Sequence, residues 1–268
     1  MSRAALTDPQ HVARSLLRSS PVSAPTGVAA AEWLVQRQSA NTMAVERVPL
    51  EGLQSWGFDS ASGALTHTSG KFFRIEGLSV TATQGARQAW EQPIINQPEV
   101  GILGILARKF GGVLHFLMQA KVEPGNPNGI QLAPTVQATV SNYTRAHKGK
   151  EVPYLDYFRT PTRRTVRPIV DVRQSEQGSW FLRKRNRNMV VETTDEVPVL
   201  DGFAWLTLGD VHDLLSCGDR VSMSARSVLA CLPLATRFRP DSYPLGSPFA
   251  EALVDSLIAD PADDGTAL

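Results

Sequence analysis

Two long apolar runs, 100–110 and 113–123, lie end to end with only Gly111 and Gly112 between them. Runs of this length, parted by turn residues and closed by Pro124-Gly125-Asn126, read as two strands joined by a turn. The first is apolar almost throughout, as a strand buried in a sheet must be. In the second, the even positions (Leu114, Phe116, Met118, Ala120, Val122) are all apolar and form a core face. The odd positions put His115, Gln119, Lys121 and Glu123 in one row with Leu117. That row holds an acid, a base and two hydrogen-bonding groups, so it reads either as a ligand-facing surface or as a solvated sheet face.

The rest of the chain must cover this sheet. At 268 residues, with 42% apolar and 20% charged side chains, it is long enough to bury a real core. A net charge of +1 provides no field to recruit nucleic acid or an anionic membrane, so any anion must be held by a local cluster. No stretch approaches the roughly 18 apolar residues of a membrane span, and 1–20 lack an apolar signal-peptide core. A cytoplasmic location is the expectation. The two cysteines, Cys217 and Cys231, lie in apolar helical surroundings and read as buried thiols.

Helices are expected within 1–20 (start signals Asp8 and Pro9) and over 29–38. Strand-like residues fill 65–82, broken by Gly70 and Gly77. Pro134 suits a first helical turn and opens a predicted helix over 134–148. In it Val136, Val140 and Tyr143 form an apolar stripe beside Gln137, Ser141, Thr144 or Arg145, and Lys148. A strand is expected near 169–173, a segment of either type over 174–192, and helices near 208–216 and 223–232. The acidic tail, 255–268, reads as frayed.

Four runs carry a family likeness. They are Gln-Pro-Ile-Ile-Asn-Gln-Pro-Glu-Val-Gly-Ile-Leu-Gly (92–104), His-Phe-Leu-Met-Gln-Ala-Lys-Val-Glu-Pro-Gly-Asn (115–126), Gln-Leu-Ala-Pro-Thr-Val-Gln-Ala-Thr-Val-Ser-Asn-Tyr-Thr-Arg (131–145) and Gln-Ser-Glu-Gln-Gly-Ser-Trp-Phe-Leu-Arg-Lys-Arg-Asn-Arg-Asn (174–188). Across about 14–233 the chain resembles the NDP-hexose 2,3-dehydratases of antibiotic deoxysugar biosynthesis. The resemblance implies a dTDP-4-keto-6-deoxyglucose substrate and an α+β fold with a Nudix-like mixed β-sheet flanked by helices. It divides the chain into an N-terminal helical segment (1–40), a sugar-nucleotide-binding domain (41–235) and a tail (236–268). Family members are typically about twice this length with two related halves, and this chain looks like the N-terminal half. Two copies pairing as a homodimer, or a non-catalytic binding half-module needing a second module, both follow from that difference.

Nudix hydrolases place glutamates on one helix to hold divalent metal against a diphosphate, since Mg²⁺ wants oxygen ligands. The predicted helix 134–148 has no Asp or Glu; Gln137, Ser141 and Asn142 stand there instead, so metal-dependent hydrolysis is not expected. The family reaction needs no metal or redox cofactor. The C4 ketone acidifies the C3 hydrogen, a base removes it, and the C2 hydroxyl leaves once protonated. A base, a cation or donor near the C4 oxygen, and a general acid suffice.

Glu123 is the first candidate for the base and Lys121 for the enolate's cation; a mutual salt bridge is the competing reading of the pair. His115 and Glu176 are alternative acid–base groups. Arg145, Lys184, Arg185 and Arg187 are the supply of cations for the diphosphate. Trp56, Tyr143 and Trp180 are candidate platforms for the thymine base. Gln119, Asn126, Gln137, Ser141, Asn142, Thr144 and Ser175 are candidate substrate contacts. A 3-ketoreductase acting on the product is the expected downstream partner.

Overall fold

A computed structural model describes residues 15, 16, 18, 19, 30–84, 89–139, 151–159 and 164–232. The helices are α1 (Ala30–Ser39), α2 (Asp156–Arg159), α3 (Leu208–Ser216) and α4 (Met223–Leu229). The strands are β1 (Trp56–Phe58), β2 (Leu65–His67), β3 (Arg74–Thr81), β4 (Ala89–Asn96), β5 (Gly101–Phe110), β6 (Val113–Val122), β7 (Ile130–Ala133), β8 (Val136–Ala138), β9 (Val166–Ser175), β10 (Arg185–Thr193) and β11 (Phe203–Leu206).

The two apolar runs are β5 and β6. Gly111 and Gly112 sit at φ +56° and +83°, and two successive positive φ values make the tight turn whose twist matches the flanking strands. These strands centre a seven-stranded sheet of order β11-β6-β5-β10-β9. It is mixed, because β10 runs parallel to β5 and the other pairs run antiparallel. A separate antiparallel sheet, β1-β2-β3-β4, precedes it. The class is α+β, a mixed sheet flanked by helices, as expected.

Both faces of the large sheet are covered. On one, Leu103, Ile105, Phe116 and Met118 pack against Leu16, Leu34 of α1, Val211 and Leu214 of α3, and Val228 of α4. On the other, Ile102, Leu106, Leu117 and Met189 pack against Phe158 of α2 and Trp205. Burial on both sides is why β5 reads as an unbroken apolar run rather than an alternating one. It also corrects the expectation that the odd row of β6 faces a ligand along its whole length. His115 is 2% exposed, edge-on to Phe110 at 5.1 Å, with Nδ1 on the Val113 carbonyl and Nε2 unpartnered.

The N-terminal segment belongs to the same packing. The Ser19 hydroxyl donates to the Leu114 carbonyl (2.5 Å) and accepts from the Leu208 amide (2.8 Å), tying β6 to the start of α3. Helix α3 is closed by a capping box in which Thr207 and Asp210 satisfy each other's backbone amides. Cys217, expected to be buried, is exposed just past the end of α3, and Cys231 is half-buried with its thiol on the Ser227 carbonyl. Among the described residues no helix is long and apolar enough to cross a membrane.

The largest correction concerns 134–148. Its first described part is strand β8, not a helix, and 140–148 lie outside the described residues. The cause is tertiary. β5 and β6 pair only near their shared turn, Leu106↔Leu117 to Phe110↔Val113, and then diverge. β7 continues along β6 and β8 along β5, filling the wedge. Val136 and Ala138 enter the second core while Gln137 takes the opposite face, a period of two that the open edge of β5 imposes. Thr135 sits at the fork: its hydroxyl accepts from the Leu106 amide at 2.8 Å and donates to the Leu117 carbonyl. Replacing Thr135 by Val keeps the shape but strands two buried backbone groups. The expected loss is about 1–3 kcal/mol, seen as a lower urea midpoint with unchanged slope.

Candidate active site

Where the wedge opens, a cavity of about 330 Å³ lies at the start of β5 and β10. One wall is built by the diverging strands. Lys121 near the end of β6 donates to Glu123 Oε1 at 2.5 Å, and the Gln137 amide of β8 donates to the same oxygen at 3.1 Å. Among the described residues Glu123 Oε2 has no hydrogen-bond donor, and Gln137 Oε1 is buried without a partner. Lys121 and Gln137 line the cavity directly. The mutual salt bridge weighed for Lys121 and Glu123 is present, and it occupies one carboxylate oxygen.

The other wall comes from the turn between β9 and β10. The Glu176 amide donates to the Lys184 carbonyl at 3.0 Å, and the Glu176 carboxylate accepts from the Asn186 side chain. Lys184 is 5% exposed, and its ammonium donates to the Glu99 carbonyl. The Ile95 amide donates to the Trp180 carbonyl (2.8 Å) and the Leu182 amide to the Ile95 carbonyl (2.9 Å), which docks this turn on β4 and sets Phe181 beside the cavity. Gln97, Gly101, Met223 and Ser224 also line it.

Of the sequence-predicted residues, Lys121, Glu123, Gln137, Glu176 and Lys184 come together. The others do not. His115 is buried in the second core, away from the cavity. Trp56 lies in the small sheet against His67 and Phe73 at 5.3 and 4.8 Å. Gln119 is held between β7 and β11, and Asn126 turns inward on the Lys121 carbonyl at 3.3 Å. Trp180 is 62% exposed, and its neighbour Phe181 takes the place by the cavity. Ser175 and Arg185 pair across the exposed ends of β9 and β10. Arg187 is engaged by both oxygens of Asp171, at 2.7 and 2.6 Å. Ser141, Asn142, Tyr143, Thr144 and Arg145 lie outside the described residues.

Sequence reading missed Asn186, Phe181, Gly101 and Gln97. For Asn186 a signal exists: in Arg185-Asn186-Arg187-Asn188 the asparagines alternate with arginines, and period two buries one set together. Asn186 and Asn188 are 8% and 1% exposed. Among the described residues no three His, Cys, Asp or Glu side chains gather closely enough to hold a metal ion.

A family model described as NDP-hexose 2,3-dehydratase matches residues 28–232. The chain belongs to that family. It is 56% identical over 206 residues to a dTDP-4-dehydro-6-deoxy-alpha-D-glucopyranose 2,3-dehydratase of Amycolatopsis orientalis, covering 75% of this chain and 43% of the relative. A protein of the same description from Saccharopolyspora spinosa is 53% identical over 226 residues, with 84% and 46% covered. One from Streptomyces violaceoruber is 52% identical over 201 residues, with 75% and 45% covered. The chain thus spans less than half the length of these relatives. Among solved structures, an ADP compounds hydrolase matches at TM-score 0.36 and 15% identity over 59% of this chain and 83% of that one. A C. elegans Ap4A hydrolase matches at 0.31 and 14%, over 50% and 95%. Both scores are too low to assign a fold.

In this 2,3-dehydratase-family chain the buried lysine has a consequence for stability. Burial holds the Lys184 ammonium below the usual lysine range, against the opposing pull of Glu99 and Glu176. The unfolded chain therefore binds this proton more readily than the folded one. Stability from this group rises with pH from the lowered value up to the ordinary ~10.4. The difference in unfolding free energy between wild type and Lys184→Met should move in favour of wild type as pH climbs through that window. Urea titrations at several pH values check this; a pH-independent difference would show that the ammonium is not desolvated.

Proposed function

We propose that this chain binds dTDP-4-keto-6-deoxyglucose in the cavity and removes water across C2–C3, giving a 3,4-diketo-2,6-dideoxy sugar nucleotide. The observation that carries the reading is one cavity lined by Lys121, Gln137, Glu176 and Lys184, with the Glu123 carboxylate bound through one oxygen to the first two. Glu123 Oε2 takes the C3 proton, and Lys121 stabilises the enolate oxygen. Glu176 protonates the departing C2 oxygen, which leaves as water, and the enol formed takes a proton at C2 as it relaxes to the diketone. The unpartnered Gln137 Oε1 suits a sugar hydroxyl donor, and Lys184 a negatively charged oxygen.

The names of the three relatives support the substrate class and the reaction. A 3-ketoreductase consuming the unstable diketone follows from the product's chemistry. We infer further that the chain acts in the cytoplasm, as a pair of copies, in deoxysugar formation for antibiotics. Incubating the purified chain with the 4-keto sugar nucleotide and a coupled 3-ketoreductase tests the reading. Dehydrated, reduced product supports it. Binding of the nucleotide sugar without product would establish a half-module that needs a second module. Sedimentation with and without ligand reads the pairing.

A further inference from the structure

We propose that Asn186 is the positioning residue for Glu176 and that Gly101 is the notch that lets it act. The inference rests on Glu176 as the acid of the proposed reaction. Glu176 follows directly on β9, where a long side chain has several rotamers open to it. Its backbone is fixed by the bond from its amide to the Lys184 carbonyl, which leaves the carboxylate to be set by what it meets. It meets Asn186, whose Nδ2 donates to Oε1, so that Oε2 remains for proton transfer.

The donor's chemistry suits an acid. An ammonium so placed would bind the charged carboxylate much more strongly than the neutral acid, and so would hold back the proton's return. A neutral amide donates to Oε1 whether Oε2 carries a proton or not. Lys184 is a nearby cation able to compete for the carboxylate, and the Glu99 carbonyl takes a hydrogen bond from its ammonium. Asn186 thus fixes geometry without fixing charge.

Gly101 pairs with Asn186 in the parallel register of β5 and β10. A Cβ at position 101 would lie 2.9 Å from Asn186 Oδ1 and 3.2 Å from the Ala138 carbonyl. The second neighbour is backbone and has little room to yield. A methyl there displaces the asparagine, so Gly101→Ala reports on Asn186 from a residue that never touches Glu176.

The test uses the full chain with dTDP-4-keto-6-deoxyglucose, comparing wild type with Asn186→Leu, Asn186→Ala and Gly101→Ala, each first confirmed as folded by near-UV circular dichroism. Leu is close to Asn in shape but has neither donor nor charge. A packing role therefore predicts near-normal turnover for Asn186→Leu, whereas the positioning role predicts that kcat falls at least about tenfold with KM within about threefold. Gly101→Ala should show the same split. An unchanged kcat in Asn186→Leu, or a loss confined to KM, overturns the inference. A second readout needs no turnover: the side-chain amide resonances of Asn186 in ¹⁵N-labelled protein should shift when Glu176 becomes Gln. If they do not move, the pinning is absent. If the wild type makes no product while those resonances do shift, the activity reading falls and the Asn186–Glu176 bond stands.

Discussion

Glu123→Gln is expected to lower kcat by roughly 10²–10⁴-fold while leaving affinity for the sugar nucleotide within a few fold. Lys121 and Gln137 both donate to Glu123 Oε1, at 2.5 and 3.1 Å. A glutamine that turns its own oxygen toward them keeps both bonds and the shape of the wall. What changes is the second position, where a proton acceptor becomes an amide that cannot take a proton. Substrate binding, which involves many groups, is little affected, while proton abstraction at C3 is lost.

The measurement is single-turnover product formation with saturating substrate, beside a competition assay with dTDP. A near-normal rate removes Glu123 as the base and passes that role to Glu176, which lines the cavity. A fall in affinity matching the fall in rate would assign Glu123 to binding instead. Lys121→Met is the companion: its loss should appear in kcat as well, because the enolate's charge develops only during the reaction.

The residues that sequence reading placed well are those whose role is written in their own strand. Glycines 111 and 112 between apolar runs specify the β5–β6 turn. Lys121 and Glu123, two apart, must share a side, and they do. The helices at 208–216 and 223–229 carry local signals, capping residues followed by an apolar stripe. The failures share one cause, contacts distant in sequence. Nothing local says that β5 and β6 diverge after five pairs, so nothing local says that 136–138 must pair with β5 rather than coil. His115 looks like its polar neighbours until Phe110 and Trp205 are seen to cover that end of the row. The sequence offers Trp180 as an aromatic platform, and the bonds to Ile95 set Phe181 beside the cavity instead.

Phe158→Ala is expected to cost about 3–5 kcal/mol, a large share of the 5–15 kcal/mol by which domains of this size are stable. Phe158 is fully buried and is the one buried residue of α2, a helix of four residues. So short a helix has little stability of its own, and it stays on the sheet because the ring packs there. The ring lies directly over Gly104 of β5, where a Cβ would fall 2.5 Å from two ring carbons. Gly104→Ala is therefore destabilising too, by roughly 1–3 kcal/mol, because the aromatic ring must shift in a packed core. The two losses should not add. With the ring gone, the new methyl enters space that would otherwise be void, so the double mutant should be more stable than the sum of the single effects predicts, with a coupling of about 0.5–3 kcal/mol. Urea midpoints of the four proteins, at constant slope, give that coupling. Strict additivity would mean that ring and glycine do not touch, and the docking of α2 on the second face of the sheet would have to be redrawn.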